Sequence, residues 1–338
     1  MDSDISASLA FLDLATSPVQ VEHIVVPLDG SEFAERSLAI ADHFAAPLGA
    51  SVSAVSVCDS ELGREQMVKY YEKLVLRTGR IGLGWTLPIE NAEPGACIVE
   101  MARRLTNPLI CMASHGRGRL STSVLGSVAR TVLLESSRPT IVAGPRCSAR
   151  TVGQPASESG SALLPVVACI DGSPASATVL RVAVAWSRRL HTTLDIVTVA
   201  EPTPPTVSDE RRYRRAHGPD VDATSYVNDI AATVRTVTGV EARAHAVYNP
   251  LSAAAGVQEF LEENAAELLV VATHSRTGPA QLFLGSQAAR IVHESPVPVL
   301  VAPVDVDAGQ NRSSSPASPA RRYSRHRVHG GRLRGLDQ

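Results

Sequence analysis

Residues 113–143 read ASHGRGRLSTSVLGSVARTVLLESSRPTIVA, and residues 272–302 read ATHSRTGPAQLFLGSQAARIVHESPVPVLVA. The two stretches match at an offset of 159, and 12 of the 31 positions are identical. Upstream, Asp-Gly-Ser at residues 29–31 matches Asp-Gly-Ser at residues 171–173 at an offset of 142. The offset grows because the second copy carries an insertion, most of it the Pro- and charge-rich stretch Glu201–Asp220, which is typical of a loop. Matched loops in matched order indicate an internal repeat.

Each copy alternates short apolar runs with segments of helical periodicity, which predicts a parallel sheet covered by helices on both faces. We therefore expect two tandem five-stranded α/β domains of the Rossmann-like type. The third strand of the first copy is weakly predicted, at 85–89. The last predicted strand of each copy, Thr140–Ala143 and Val297–Ala302, is apolar and would otherwise be an exposed edge. We expect these two strands to pair and to join the copies as a pseudo-dimer within one chain.

Composition sets the domain boundaries. In chain order they are a disordered N-terminus (1–20), domain 1 (21–147), a Ser- and Gly-rich linker (148–163), domain 2 (164–306) and a disordered basic tail (307–338). Residues 311–338 contain seven Arg and one acidic residue. We expect these arginines to add only weak, salt-dependent affinity for nucleic acid. Tyr323 is its one aromatic residue, and no specific nucleic-acid recognition is expected.

The whole-chain composition excludes several classes of protein. Hydrophobic residues make up 44% and charged residues 20% of the 338 residues, and the formal net charge is −2, as in an ordinary globular protein. The five cysteines are scattered without CxxC spacing, which disfavours a disulfide framework or a zinc site. No apolar span of 18 residues predicts a membrane helix, and the acidic N-terminus does not resemble a signal peptide. We expect a cytoplasmic location.

Two loops of each copy follow strands at the edge where open parallel sheets bind ligands. In the first copy these are Asp29-Gly30-Ser31 and the segment from Ser114 to Gly126. Glycines allow a phosphate to approach the backbone, and the amides at a helix N-terminus attract anions. Ser127 would donate its hydroxyl, and Arg117 and Arg119 would neutralise charge, while Asp29 suits ribose hydroxyls. Alternatively, the glycines serve only a tight turn and a helix start.

This pattern resembles the universal stress protein family, whose nucleotide-binding signature is G-x2-G-x9-G-[ST], with an Asp after the first strand. In the first copy Ala113 takes the place of the first signature Gly, Gly116 is the second, and Gly126-Ser127 close it. In the second copy Ala272 and Ser275 take the first two places and Gly285-Ser286 close it. Ser275 is the more serious departure, because we expect a positive φ there, which Ser tolerates poorly.

The resemblance implies an adenine nucleotide α-hydrolase-like fold, adenine contacts near the end of the second strand and a backbone contact just before each Asp. His115 and His274 match each other and are assigned to the loop or to ligand contact, since neither has a catalytic-triad context. Together with the loop residues, the candidate nucleotide-binding set is Pro27, Asp29, Gly30, Val57, Ala113, Ser114, His115, Gly116, Arg117, Arg119, Gly126, Ser127, Val128, Cys169, Asp171, Gly172, Val199, Ala272, Thr273, His274, Ser275, Arg276, Gly278, Gly285, Ser286 and Gln287.

The function implied by the resemblance is an ATP-binding, stress-responsive regulator, with Mg²⁺ carried by the phosphates. No P-loop is present, and no positioned base for rapid hydrolysis is identified, so no catalytic residue is assigned. Two alternatives stay open: a slow ATPase or a phosphoryl- or nucleotidyl-transfer enzyme on the same scaffold, and a structural stress protein that binds no nucleotide. The expected partners are an adenine nucleotide, an unidentified regulatory protein and a second copy in a homodimer. The first copy is expected to bind ATP more tightly than the second.

Overall fold

The computed structural model describes residues 18–80, 83–90, 93–116, 125–147, 163–200, 223–249, 251–273 and 285–303. Most of the predicted disordered N-terminus, most of the linker, the Glu201–Asp220 insertion and the basic tail lie outside these residues. So do Arg117, Arg119 and the whole segment 274–284. The described residues belong to one compact unit.

Both copies follow the predicted alternation of strand and helix. The elements of the first copy are β1 (His23–Pro27), α1 (Glu32–Leu48), β2 (Ser51–Val55), α2 (Glu61–Thr78), β3 (Gly84–Thr86), α3 (Pro94–Arg103), β4 (Pro108–Ala113), α4 (Ser127–Glu135) and β5 (Thr140–Ala143). Those of the second copy are β6 (Val166–Ile170), α5 (Ala175–Leu190), β7 (Leu194–Ala200), α6 (Ala223–Thr238), β8 (Ala242–Tyr248), α7 (Ala253–Glu263), β9 (Leu268–Ala272), α8 (Ser286–Glu294) and β10 (Val299–Ala302).

The strands form one ten-stranded sheet in the order β3-β2-β1-β4-β5-β10-β9-β6-β7-β8. Within each copy the neighbouring strands are parallel, and β5 pairs with β10 in antiparallel register, with Ile141 opposite Leu300. The prediction that the last strands join the copies is therefore confirmed. Since both strands are fully buried, their pairing removes two apolar edges from solvent.

The sheet separates two apolar cores, because successive strand residues point to opposite faces. Ile24 and Val26 pack with α1, α2, α5 and α6 on one face, while Val25 packs with α3, α4, α7 and α8 on the other. The same division continues through the junction, where Ile141 belongs to the first core and Val142 to the second. Both cores thus run through the two copies.

Side-chain contacts between the copies reinforce the strand pairing. The rings of Phe44 and Trp186 meet edge to face at 5.8 Å between α1 and α5. Arg189 donates to the carbonyl of Leu48 at 2.6 Å, at the C-terminus of α1, where a cation is favoured. His43 also contacts the buried carboxylate of Glu267. The pseudo-dimer is therefore held by apolar and polar contacts outside the sheet.

Candidate functional site

The candidate site of the first copy lies where the strand order reverses. β1 is flanked by β2 on one side and β4 on the other, so the chain leaves β1 and β4 toward opposite sides of the sheet. Asp29 follows β1, and Ser114 follows β4 directly. The carboxyl ends of these strands therefore open a crevice, as expected for a ligand site in an open parallel sheet.

The Asp29 side chain is held by the turn that starts α1. Its Oδ1 accepts hydrogen bonds from the backbone N–H of Ser31 at 3.0 Å and from the Ser31 hydroxyl at 2.7 Å. Gly30 turns the chain with a φ of 85°, and the Ser31 Oγ accepts from the Ala34 N–H to cap the helix. One carboxylate oxygen is thus engaged in the turn, and the other faces the loop after β4.

Gly116 approaches that second oxygen too closely for any side chain. A Cβ placed on Gly116 would overlap the Oδ2 of Asp29 and lie 3.3 Å from its Cγ. The φ of Gly116 is not in the left-handed region, so a positive φ does not explain the glycine at this signature position in the first copy. The expectation of a positive φ at Ser275 lies outside the described residues. The reason for glycine here is the room beside Asp29.

The loop after β4 closes back on its own start. Ser114 donates its N–H to the carbonyl of Ala143 and accepts the N–H of Gly126 on its own carbonyl, both at 2.8 Å. Gly126 is the N-cap of α4, and among the described residues no side chain caps this helix. Side chains cap α1, α2, α3 and α7 at their N-termini. The first amides of α4 therefore receive no side-chain cap from the described residues, and such amides are suited to solvent or an anionic ligand.

A cavity of about 920 Å³ lies between the Asp29 turn and the start of α4. It brings together all the predicted residues of the first copy that the structure describes: Pro27, Asp29, Gly30, Val57, Ala113, Ser114, His115, Gly116, Gly126, Ser127 and Val128. The volume is in the range of small-molecule and cofactor sites. Arg117 and Arg119 lie outside the described residues, and their position relative to the cavity stays a prediction.

Sequence reasoning missed one wall of this cavity. Gly63, Gln66, Met67 and Tyr70 line it from one face of α2. Their spacing of three and four residues is the helical signal that would have found them once α2 was placed beside β2. Apolar surface from Ile98 and Met112 was missed too, because both positions read only as core.

The cavity wall is acidic in the part of the chain that the structure describes. Asp29, Asp59 and Glu90 line it, and no Lys or Arg is among the described lining residues. Burial raises the pKa of the Tyr70 hydroxyl, and the hydrogen bond it donates to Glu35 at 3.0 Å adds to this, so Tyr70 is a neutral wall residue. Among the described residues, no three His, Cys, Asp or Glu side chains form a group able to hold a metal ion.

The second copy repeats the Asp-Gly-Ser turn with different bonds. Asp171 Oδ1 accepts the N–H of Ser173 at 3.0 Å and the hydroxyl of Ser176 at 3.1 Å, and Gly172 has a φ of 75°. The buried Ser173 hydroxyl has no hydrogen-bond partner among the described residues, whereas Ser31 in the first copy caps α1. The turn is therefore preserved in shape, although a different serine holds the carboxylate.

The start of α8 repeats the start of α4. Gly285 donates its N–H to the carbonyl of Thr273 at 3.0 Å, and no side chain in the described part of the chain caps the helix. Ser286 is exposed, while Gln287 accepts the Ala254 N–H at 3.3 Å and so braces α7. The remaining described candidates lie at strand ends: Cys169 in β6, Val199 in β7 and Ala272 in β9. His274, Ser275, Arg276 and Gly278 lie outside the described residues.

The sequence pattern of the universal stress protein family matches residues 20–144 and again residues 164–303. The chain belongs to the universal stress protein family. The two matches follow one another along the chain, in agreement with the repeat and with the two halves of the sheet. The fold class expected from the sequence is thereby confirmed.

Solved structures agree on the fold. A universal stress protein from Archaeoglobus fulgidus superimposes with a TM-score of 0.58 at 18% identity, covering 86% of this chain and 99% of the other. A protein of unknown function from Pseudomonas aeruginosa gives a TM-score of 0.53 at 14% identity, covering 84% of this chain and 92% of the other. Among curated proteins, no significant match is found. Within the described residues, no helix has the length and apolar character needed to cross a membrane.

Proposed function

We propose that this universal stress protein binds an adenine nucleotide, ATP, in the cavity of the first copy. The observation that carries the proposal is the start of α4, which has no side-chain cap among the described residues and opens into a cavity at the strand-order reversal. The amides of Ser127 and Val128 would donate hydrogen bonds to phosphate oxygens there. Asp29, across the crevice, would accept hydrogen bonds from ribose hydroxyls. The apolar wall that includes Val57 and Met67 suits a purine ring.

The described part of the site contains no Lys or Arg that could neutralise the negative charge of a triphosphate. Three carboxylates line the cavity. The proposed site therefore depends on helix amides, on Arg117 and Arg119, and on Mg²⁺ that enters with the phosphates, since Mg²⁺ is commonly held by substrate phosphates with few protein ligands. This acidity also favours the alternative of a stress protein that binds no nucleotide, and the binding experiment below decides between them.

The proposed role is regulation in the cytoplasm through a partner protein. His115 is the one imidazole among the described residues of the cavity wall, and its Nδ1 lies 3.0 Å from the Ser114 hydroxyl. Rapid hydrolysis requires a positioned base and a charge clamp on the γ-phosphate. The alternative hypothesis is a slow ATPase or a transferase on this scaffold. It predicts that the protein turns over nucleotide, which a regulator does not need to do.

The two sites are expected to differ in affinity. Gly116 has no room for a Cβ beside Asp29, and the repeat places Ser275 at the matching position of the second copy. Pro279 further removes a backbone donor from that loop. Forcing an extra carbon into a packed site costs about 1–3 kcal/mol, so the second site should bind roughly 5- to 150-fold more weakly.

Native mass spectrometry of the gently purified protein and calorimetry with MgATP test the proposal. Ser127→Asp and Ser286→Asp place a carboxylate at the start of α4 or α8, and both serines are exposed, so neither change crowds the fold. Ser127→Asp should abolish the tight binding phase, and Ser286→Asp should leave it. Ser127→Ala removes the hydroxyl but keeps the helix amides, so it should cost much less affinity than Ser127→Asp, and Ser286→Ala is the matched control in the second copy. Loss of the tight phase in Ser286→Asp alone would reverse the ranking. No adenine nucleotide bound to the wild type by either method would refute the function.

A further inference from the structure

The last turn of α8, in the second copy, reaches across to the first copy beside the cavity. A Cβ on Gly144, just after β5, would overlap the carbonyl oxygen of Val292 and lie 3.3 Å from that of His293. The two backbones thus touch without room for a side chain. This contact fixes the end of α8 against the first copy, and it sets where the next side chain, His293, is placed.

The His293 ring packs edge to face on the ring of His115. The centroids are 6.0 Å apart and the planes are 78° from parallel, which is a favourable arrangement for aromatic rings. His115 belongs to the cavity wall and directly precedes Gly116. On its other side, the His115 Nδ1 lies 3.0 Å from the Ser114 hydroxyl. The imidazole is therefore held between the end of its own strand and a side chain of the other copy.

This ring contact has no counterpart in the opposite direction. At the repeat offset of 159, the position that corresponds to His293 is Leu134 on α4. A leucine cannot form an imidazole pair with the matching histidine, His274. The ring pair is therefore an addition to the first copy alone, in contrast to the repeat-related strands and helices around it.

We propose that His293 of the second copy is a positioning residue of the nucleotide site in the first copy, acting through His115. The proposal rests on the proposed nucleotide binding. His293 does not line the cavity. It acts by restricting the His115 ring and with it the backbone of Gly116 beside Asp29. The described residues 114–116 are thereby held in place before the ligand arrives, which lowers the entropy cost of binding.

The test compares three variants of the full chain in a Ser286→Asp background, so that only the first site is measured. His293→Ala removes the ring and should weaken MgATP binding about twofold to tenfold. His293→Phe keeps an edge-to-face ring and should restore at least half of the lost affinity on a logarithmic scale. Leu134→Ala truncates the position that corresponds to His293, at the C-terminal end of α4 and away from the N-terminal amides proposed to bind phosphate. It should leave the affinity unchanged.

A double-mutant cycle separates positioning from a general packing effect. His115→Ala should weaken binding by itself, and adding His293→Ala to it should cause no further loss, because the partner ring is already gone. Full additivity of the two losses would overturn the proposal. Equal losses in His293→Ala and Leu134→Ala, tracking an equal fall in unfolding free energy, would overturn it too, since they would show a structural effect.

A readout that needs no nucleotide keeps this inference separate from the proposed function. Amide hydrogen exchange of the segment Ser114–Gly116 in the ligand-free protein should be faster in His293→Ala than in the wild type and close to wild type in His293→Phe. If the wild type binds no nucleotide, the proposed function fails, and this exchange result still decides whether His293 positions the loop. Unchanged exchange in His293→Ala would refute the positioning even if ATP binds.

Discussion

Replacing Gly116 by Ala tests the geometry on which the candidate site rests. The added Cβ would overlap the Oδ2 of Asp29, and it cannot be accommodated by a flexible side-chain end, because the Asp29 carboxylate is tied down by Ser31. Either Asp29 turns away and loses the bonds from the Ser31 N–H and hydroxyl, or the loop after β4 moves outward. Both routes separate Asp29 from the start of the loop.

The expected losses of stability and affinity in Gly116→Ala follow from these two structural responses. A hydrogen bond to a charged group contributes about 1.5–3 kcal/mol to stability, but Asp29 is half-exposed and water replaces part of what is lost. Overpacking by one methyl group costs about 1–3 kcal/mol. We therefore expect Gly116→Ala to lower the free energy of unfolding by about 1–2 kcal/mol and to weaken nucleotide binding at least about tenfold, since about 1.4 kcal/mol corresponds to a factor of ten.

Calorimetry with MgATP in a Ser286→Asp background measures the binding, and urea unfolding measures the stability. Gly49→Ala is the matched control: Gly49 is left-handed with a φ of 66° at the end of α1, and a Cβ there meets no atom within 4 Å. This control should lose about 1–2 kcal/mol of stability through backbone strain and keep its affinity. Wild-type affinity in Gly116→Ala would refute the argument that Asp29 and the loop must approach this closely.

Three further predictions address parts of the chain away from the cavity. Deleting Asp307–Gln338 should leave the melting temperature unchanged in a thermal scan, because the tail is too poor in apolar residues to pack, and a drop of several degrees would contradict this. Gly144→Ala should destabilise the protein by at least about 1–3 kcal/mol in urea, since the Val292 carbonyl has no room to move, and an unaltered midpoint would count against the tight contact. Burial raises the pKa of the Cys147 thiol to about 12, so iodoacetamide at pH 8 should label Cys147 slowly in the native protein and readily in urea; labelling at the rate of the half-buried Cys97 in the native state would contradict it.

Much of the fold was accessible from the sequence because the repeat supplies the same information twice. Alternating apolar runs and helical periods are local signals, and the pairing of Thr140–Ala143 with the last strand follows from the need to cover two apolar edges. Less accessible was the edge of the sheet in the first copy. The strand predicted at 85–89 is β3, Gly84–Thr86, followed by an isolated bridge between Cys58 and Ile89. Short edge strands carry little pattern, since few of their residues are buried.

The residues of the candidate site likewise divide into those that the sequence predicts and those that it does not. Residues at strand ends and at a helix N-terminus could be predicted, because position along the chain places them at one edge of the sheet. Met67 and Tyr70 could not, since the side of the sheet to which α2 packs is set by tertiary structure. The true reason for Gly116 was also out of reach, because it depends on an atom of Asp29 that is 87 residues away in sequence.

Two polar contacts between the copies are asymmetric, because the repeat-equivalent positions cannot form them. A symmetric dimer makes every interface contact twice, because each subunit presents the same residues. In this chain Arg189 bonds the end of α1, but the position that corresponds to Arg189 in the first copy is Pro47, which cannot return the bond. The carboxylate of Glu267 likewise contacts His43. The position that corresponds to Glu267 in the first copy is Pro108, which has no carboxylate. Fusing the two copies removes the requirement for symmetry, so that a substitution can alter one side of the interface without its mirror image. The proposed difference in affinity between the two candidate sites, with His293 supporting only the first, is therefore compatible with a single chain, whereas a dimer of identical subunits has two identical sites.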